Sequence, residues 1–155
     1  MKRKKVVSKT VPLGYAWYTL PPFLQGVVSL KDYREWLDLR GRDQHQRDLK
    51  LKRSYAKTNS VMMYKQKIHQ AVLDGGEFDP YTGEKINWGL ISKEKTLKMA
   101  NFIDNGYAMH PAVDHTDPEE FGFEICTWIS NESKSCMTSD QFVDFCRKVT
   151  RFRGV

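Results

Sequence analysis

The chain has 155 residues, 40% of them apolar and 28% charged, with a formal net charge of +6. Mean hydropathy is −0.60, and no apolar run approaches the roughly 20 residues that a membrane-spanning helix needs. The basic N-terminus has no apolar segment after it, so no secretory signal is expected, and this length suits one compact domain or a small domain with an arm.

The charge is unevenly spread. Residues 1–76 hold 16 Lys/Arg and 6 Asp/Glu, a balance of +10, and residues 77–155 hold 9 and 13, a balance of −4. A basic half suits phosphates, whose counterions it would displace, and an acidic half suits cations. Cys126, Cys136 and Cys146 are odd in number and form no C-x-x-C pair. Neither a disulfide framework nor a structural zinc site is expected, and reduced, mostly buried thiols in a cytoplasmic protein are the expectation.

In chain order, Met1–Lys9 is a basic arm. Val11–Gly26 is broken by Pro12, Pro21 and Pro22 and reads as an extended segment wrapped on the core. Ser29 opens a helix through Leu39, with Leu30, Tyr33, Trp36 and Leu37 at helical spacing and Gly41 closing it. Arg42–Lys57 is strongly charged and is expected to be a solvent-facing helix or a linker. Thr58 and Asn59 would cap the next helix, whose core positions are Val61, Met62, Tyr64, Ile68, Ala71, Val72 and Leu73, ending at Gly75-Gly76.

Residues 78–86 contain Pro80-Tyr81-Thr82-Gly83 and read as a hairpin. A helix is expected from Ser92 to Asp104, and short strands over Ala112–His115 and Phe123–Trp128. From Ser139, residues Phe142, Val143, Phe145, Cys146, Val149 and Phe152 form one apolar stripe of a final helix. The expected fold class is α+β, mainly helical, with a small antiparallel sheet at its centre.

Two motifs carry chemistry. Val113-Asp114-His115 ends the first strand, and Asn131-Glu132-Ser133-Lys134-Ser135 opens a helix after the second. Histidine can deprotonate a water, while a carboxylate and an amide oxygen can hold a hard divalent cation against a phosphate. The neutral Asn131 amide adds a ligand without adding negative charge near the phosphate.

This order, together with Tyr81-Thr82-Gly83-Glu84 before it, resembles the HNH endonuclease family in its Asp-His…Asn variant. The resemblance covers about Ile68–Val149. It implies a central ββα-metal unit, with residues 1–60 as a basic arm and helical segment and 61–155 as the nuclease module. His115 looks like the general base, Asp114 and Asn131 look like ligands of Mg²⁺ or Mn²⁺, and Lys134 looks like a phosphate contact. The implied partner is DNA, cut to 5′-phosphate and 3′-hydroxyl ends.

Three departures stand out. Asp79 and Ser130 lie where zinc-binding cysteines are frequent, which leaves the module to packing alone. The loop Thr116-Asp117-Pro118-Glu119-Glu120 is short and acidic, and Asp117 there is a further candidate ligand. No histidine follows Asn131 as a third ligand. A catalytically inactive, HNH-like nucleic-acid-binding protein is the alternative. Among the other histidines, His110 is expected near the site, His69 at the core edge and His45 in solvent. Trp88 and Trp128 are expected to pack around the small sheet, and Tyr15, Trp17 and Tyr18 on the core.

Overall fold

The computed structural model describes residues 18–93 and 106–155. The expected basic arm, Tyr15, Trp17 and most of the helix expected over Ser92–Asp104 lie outside these residues. The described part is α+β and mostly helical, with one two-stranded antiparallel sheet.

Helix α1 spans Leu30–Lys50, with the Ser29 side chain accepting from the Asp32 amide at its start. It runs straight through Gly41, so the expected stop there is corrected. Gly41 faces the crossing with helix α2 (Val61–Gly75), and a Cβ at that position would sit 2.5 Å from Lys65 Cγ. The absent side chain serves helix–helix approach, not termination. An ion pair between Lys65 and Asp38 ties the same crossing.

The charged stretch after Gly41 is likewise not a solvated linker. Its helical part buries Gln44 and Asp48. Ser60, rather than Thr58 or Asn59, caps α2 by accepting from the Met63 amide. Tyr64, Ile68, Ala71 and Val72 form its inner face at the 3.6-residue period, while Met62 and Leu73 stay exposed, against expectation.

One core runs from Tyr18 and Leu24 through Tyr33, Trp36 and Leu37 of α1 and Ile68 and Val72 of α2 to Val113 and Ile125 of the sheet. It crosses the expected boundary at residue 60. Trp88 is buried in this same core, edge-on to Trp36 at 4.9 Å, and its indole donates to the Gly76 carbonyl. Trp128 is only half-buried. Tyr18 packs on the core, edge-on to His69.

Strands β1 (Pro111–His115) and β2 (Phe123–Thr127) pair from Pro111↔Thr127 to His115↔Phe123. The expected hairpin at 78–86 is present as a bridge between Phe78 and Lys85 closed by a turn with Gly83 at φ +73, a conformation glycine adopts without strain. Helix α3 (Trp128–Lys134) follows β2 directly, capped by Thr127, and α4 (Ser139–Arg153) comes after a tight turn. Asn131 therefore lies inside α3 and does not open it. Cys126 is buried, whereas Cys136 and Cys146 are exposed, which corrects the expectation of mostly buried thiols.

Candidate functional site

Successive strand residues point to opposite faces, and this decides the layout of the site. His115 turns with Val113 and Phe123 toward the helices, its ring 4.8 Å from that of Phe123. Asp114 turns the other way, toward Tyr81 and Lys134. Because both sit at the end of β1, both reach the wall of a single cleft of about 970 Å³, whose cationic lining comes from Arg47, Lys50, Arg53 and Lys134.

His115 is held by a buried polar group that the sequence did not reveal. Its Nε2 lies 3.0 Å from Asp48 Oδ2 and 2.8 Å from Arg53 Nη1. A protonated Nε2 donates to Asp48, and a bare one accepts from Arg53. Arg53 also donates to Asp48 Oδ1 at 2.7 Å, and the Tyr64 hydroxyl donates to Oδ2 at 2.9 Å. Asp48 is fully buried. Burial by itself raises its acid range, but hydrogen bonds from His115 and Tyr64 and the charges of His115 and Arg53 outweigh that and hold it below normal. The same burial, with the Asp48 carboxylate beside it, drives the Tyr64 hydroxyl upward. All hydrogen bonds of the His115 ring to described residues fall on Nε2. The signal available in the sequence was the triplet Asp48, Arg53 and Tyr55 in a stretch otherwise free of aromatic residues.

Asp114 is nearly buried, and Lys134 answers its charge. Lys134 Nζ lies 2.9 Å from Asp114 Oδ2 and donates to the His115 carbonyl, also at 2.9 Å. The lysine is 1% exposed, so its charge is engaged by Asp114 rather than offered to solvent. The cross-strand partner of Asp114, Glu124, is bonded to the Tyr81 hydroxyl, which also reaches Asp114 at 3.4 Å and Ser139 at 2.9 Å. Burial, with the Glu124 hydrogen bond, pushes the Tyr81 hydroxyl well above its ordinary range.

Asn131 is half-buried in α3 and does not line the cleft. It precedes Lys134 by three residues, the spacing of helix-surface neighbours. No cluster of three or more His, Cys, Asp or Glu side chains suited to a metal occurs among the described residues. The Asp114 carboxylate is nonetheless the kind of donor that a hard cation takes. A desolvated carboxylate is costly without a positive charge against it, and the Lys134 ammonium stands in that place. Asp117 does not join Asp114; it accepts from the Glu119 amide within its own loop.

Asp79 and Ser130, the positions where cysteine was the alternative, meet in one hydrogen-bonded cluster. Asp79 Oδ1 accepts from the amides of Tyr81 and Thr82 at 2.9 Å each, and Oδ2 accepts from the Thr127 amide and hydroxyl at 2.7 Å each. The Thr127 hydroxyl lies 3.0 Å from that of Ser130. The module is thus stapled by a polar network rather than by packing alone. Burial opposes ionisation of Asp79, but the hydrogen bonds from Thr127, Thr82 and Tyr81 prevail and keep its acid range low.

The remaining histidines sit away from the cleft. His110 is buried at the opposite end of β1, stacked on Tyr107. His69 bonds the Tyr33 hydroxyl at 2.7 Å, and burial lowers its basicity. His45 is not solvated as expected: it bonds the Ala56 carbonyl and packs edge-on to Tyr64. No family model, no curated protein and no solved structure matches this chain.

Proposed function

We propose that the cleft hydrolyses DNA phosphodiester bonds with the help of a divalent cation, and that His115 is its general base. The observation that carries this reading is the pairing of His115 with the buried Asp48 at the wall of a cationic cleft, directly beside Asp114. With Nε2–H donated to Asp48, Nδ1 keeps its lone pair and can take a proton from water, as a carboxylate-oriented histidine does. The oxygen of that water bonds to phosphorus, the bond from phosphorus to the 3′ oxygen breaks, and the leaving oxygen is protonated to a 3′-hydroxyl. Asp114 and Asn131 would be the residues to hold Mg²⁺ or Mn²⁺, which would supply stabilisation of the charge that develops on the phosphate. Arg47, Lys50 and Arg53 attract the strand, and Lys134 must turn from Asp114 before a cation can bind, which frees its ammonium for a phosphate.

The Lys134–Asp114 pair at 2.9 Å favours a second reading, an HNH-like module that binds nucleic acid without cutting it. Plasmid incubated with purified protein and Mg²⁺ or Mn²⁺ separates the two. Nicking by the wild type and its loss in His115→Ala supports cleavage. Retention of DNA without nicking of single-stranded, duplex or branched forms, with either ion, refutes it.

A further inference from the structure

The last turns of α1 form a wall of the cleft. Gln44 and Asp48 turn inward on this helix, Gln44 donating to the Val113 carbonyl and Asp48 bonding His115. Asp43, Arg47 and Lys50, at intervals of four and three residues, share the neighbouring face and line the cleft. Asp43 is paired with Arg40 at 3.6 Å, but Arg47 and Lys50 have no acidic partner among the described residues. Two aliphatic side chains stand among these cations on the same wall: Leu49, 43% exposed, and Leu51, 56% exposed. The helix ends in a Schellman turn, with Lys52 at φ +57 and the Lys52 and Arg53 amides donating to the Leu49 and Asp48 carbonyls. That turn seats Leu51 on the wall while it returns Arg53 to Asp48.

The loop between β1 and β2 adds a rim of opposite sign. Pro118 lines the cleft, and Asp117, Glu119 and Glu120 beside it have no cationic partner among the described residues. His115 and Asp114 lie recessed, 3% and 5% exposed, so a strand has to enter the cleft to meet them. A duplex carries two rows of phosphate and keeps its base faces stacked. With one row on Arg47 and Lys50, it brings the other toward the carboxylate rim, where like charges repel, and it offers no base face to Leu49 and Leu51. An unpaired strand has a single row of phosphates and open base faces, which suits both features of the wall.

We propose that the cleft takes one unpaired strand of DNA and rejects the paired duplex. The phosphates of that strand lie along Arg47 and Lys50, and its bases pack against Leu49 and Leu51. The proposal rests on the reading of the cleft as a DNA-cutting site, but binding tests it separately from cleavage. It also fixes which form of a plasmid is cut. Negative supercoiling favours strand separation, so supercoiled plasmid is nicked and the relaxed product is not cut further.

Fluorescence anisotropy of the full chain, without divalent ions so that nothing is cut, tests it with a labelled oligothymidylate and a blunt duplex of equal length. The single strand should bind about tenfold or more tightly than the duplex. Leu51→Ser should weaken single-strand binding by about tenfold and leave its salt dependence unchanged. Arg47→Ala and Lys50→Ala should each reduce the slope of log affinity against log salt by about 0.7. Replacing Glu119 and Glu120 together by Gln should raise duplex affinity more than single-strand affinity. All these side chains are exposed, so the variants should melt as wild type does. Duplex binding as tight as single-strand binding overturns the proposal, whether or not plasmid is nicked, and so does binding of neither form. A single-strand preference untouched by Leu51→Ser, Arg47→Ala and Lys50→Ala overturns it equally, because the strand then lies elsewhere. Single-strand binding that depends on these residues, in a protein that nicks nothing, supports this proposal and refutes cleavage alone.

Discussion

Replacing Asp79 by Asn keeps the volume of the buried side chain and removes its charge. The carboxylate accepts four hydrogen bonds, two on each oxygen. An amide has one acceptor, so its NH₂ group must face either the amides of Tyr81 and Thr82 or the Thr127 amide and hydroxyl. At least one charge-assisted bond, worth about 1.5–3 kcal/mol, is lost, and a buried donor is left facing a donor at about 1–3 kcal/mol more. The sum is about 2.5–6 kcal/mol, which for a chain of this size lowers the melting temperature by about 5–25 °C. Thermal unfolding followed by circular dichroism checks this at neutral pH. The sign of the pH dependence is fixed as well. The folded acid range of Asp79 lies below its ordinary value of 3.8, so its stabilisation is complete above that value and fades as pH falls through and below it. The gap between wild type and Asp79→Asn should therefore stay constant above about pH 5 and close in stronger acid. A variant that melts within about 2 °C of wild type at neutral pH, less than 1 kcal/mol by the same scaling, refutes the staple. So does a gap indifferent to acid.

Two further outcomes follow from the neighbourhood of Asp114. Lys134→Met leaves that carboxylate nearly buried and unpaired, which should cost about 3–5 kcal/mol; millimolar Mn²⁺ should restore much of the loss by taking the vacated place, raising the melting point of the variant far more than that of wild type, and equal metal responses would refute this. Ser135, directly after Lys134, has φ +53 and ψ −122, backbone space that costs a serine about 1–3 kcal/mol. Ser135→Gly should stabilise by about 1 kcal/mol after the flexibility glycine adds to the unfolded chain, and a loss of stability in chemical denaturation would contradict it.

The order of elements around the site was legible because short-range chemistry writes it. Glycine and proline punctuate the 78–86 turn, short apolar runs mark β1 and β2, and the period of 3.6 marks α2 and α4. Gly41 misled because glycine serves two purposes, ending helices and letting two helices touch, and only the Lys65 contact 24 positions away separates them. Asp48 was invisible for a related reason. A charged residue among charged residues reads as solvated, and its burial depends on Arg53, Tyr64 and a histidine 67 positions downstream. For Lys134 the spacing from Asn131 was legible, whereas its burial against Asp114 depends on the strand pairing that brings the two together. For α4 the stripe was plain in sequence, but periodicity says that a face is apolar and nothing about what it faces.

Chemical rescue tests the central assignment most directly. His115→Gly removes the imidazole and leaves Asp48 paired with Arg53 and Tyr64. The account predicts that this variant loses Mg²⁺-dependent nicking of plasmid DNA and regains it, in proportion to concentration, when free imidazole is added. A wild type that never nicks, or a glycine variant whose rate is untouched by the mutation or by imidazole, contradicts His115 as the base.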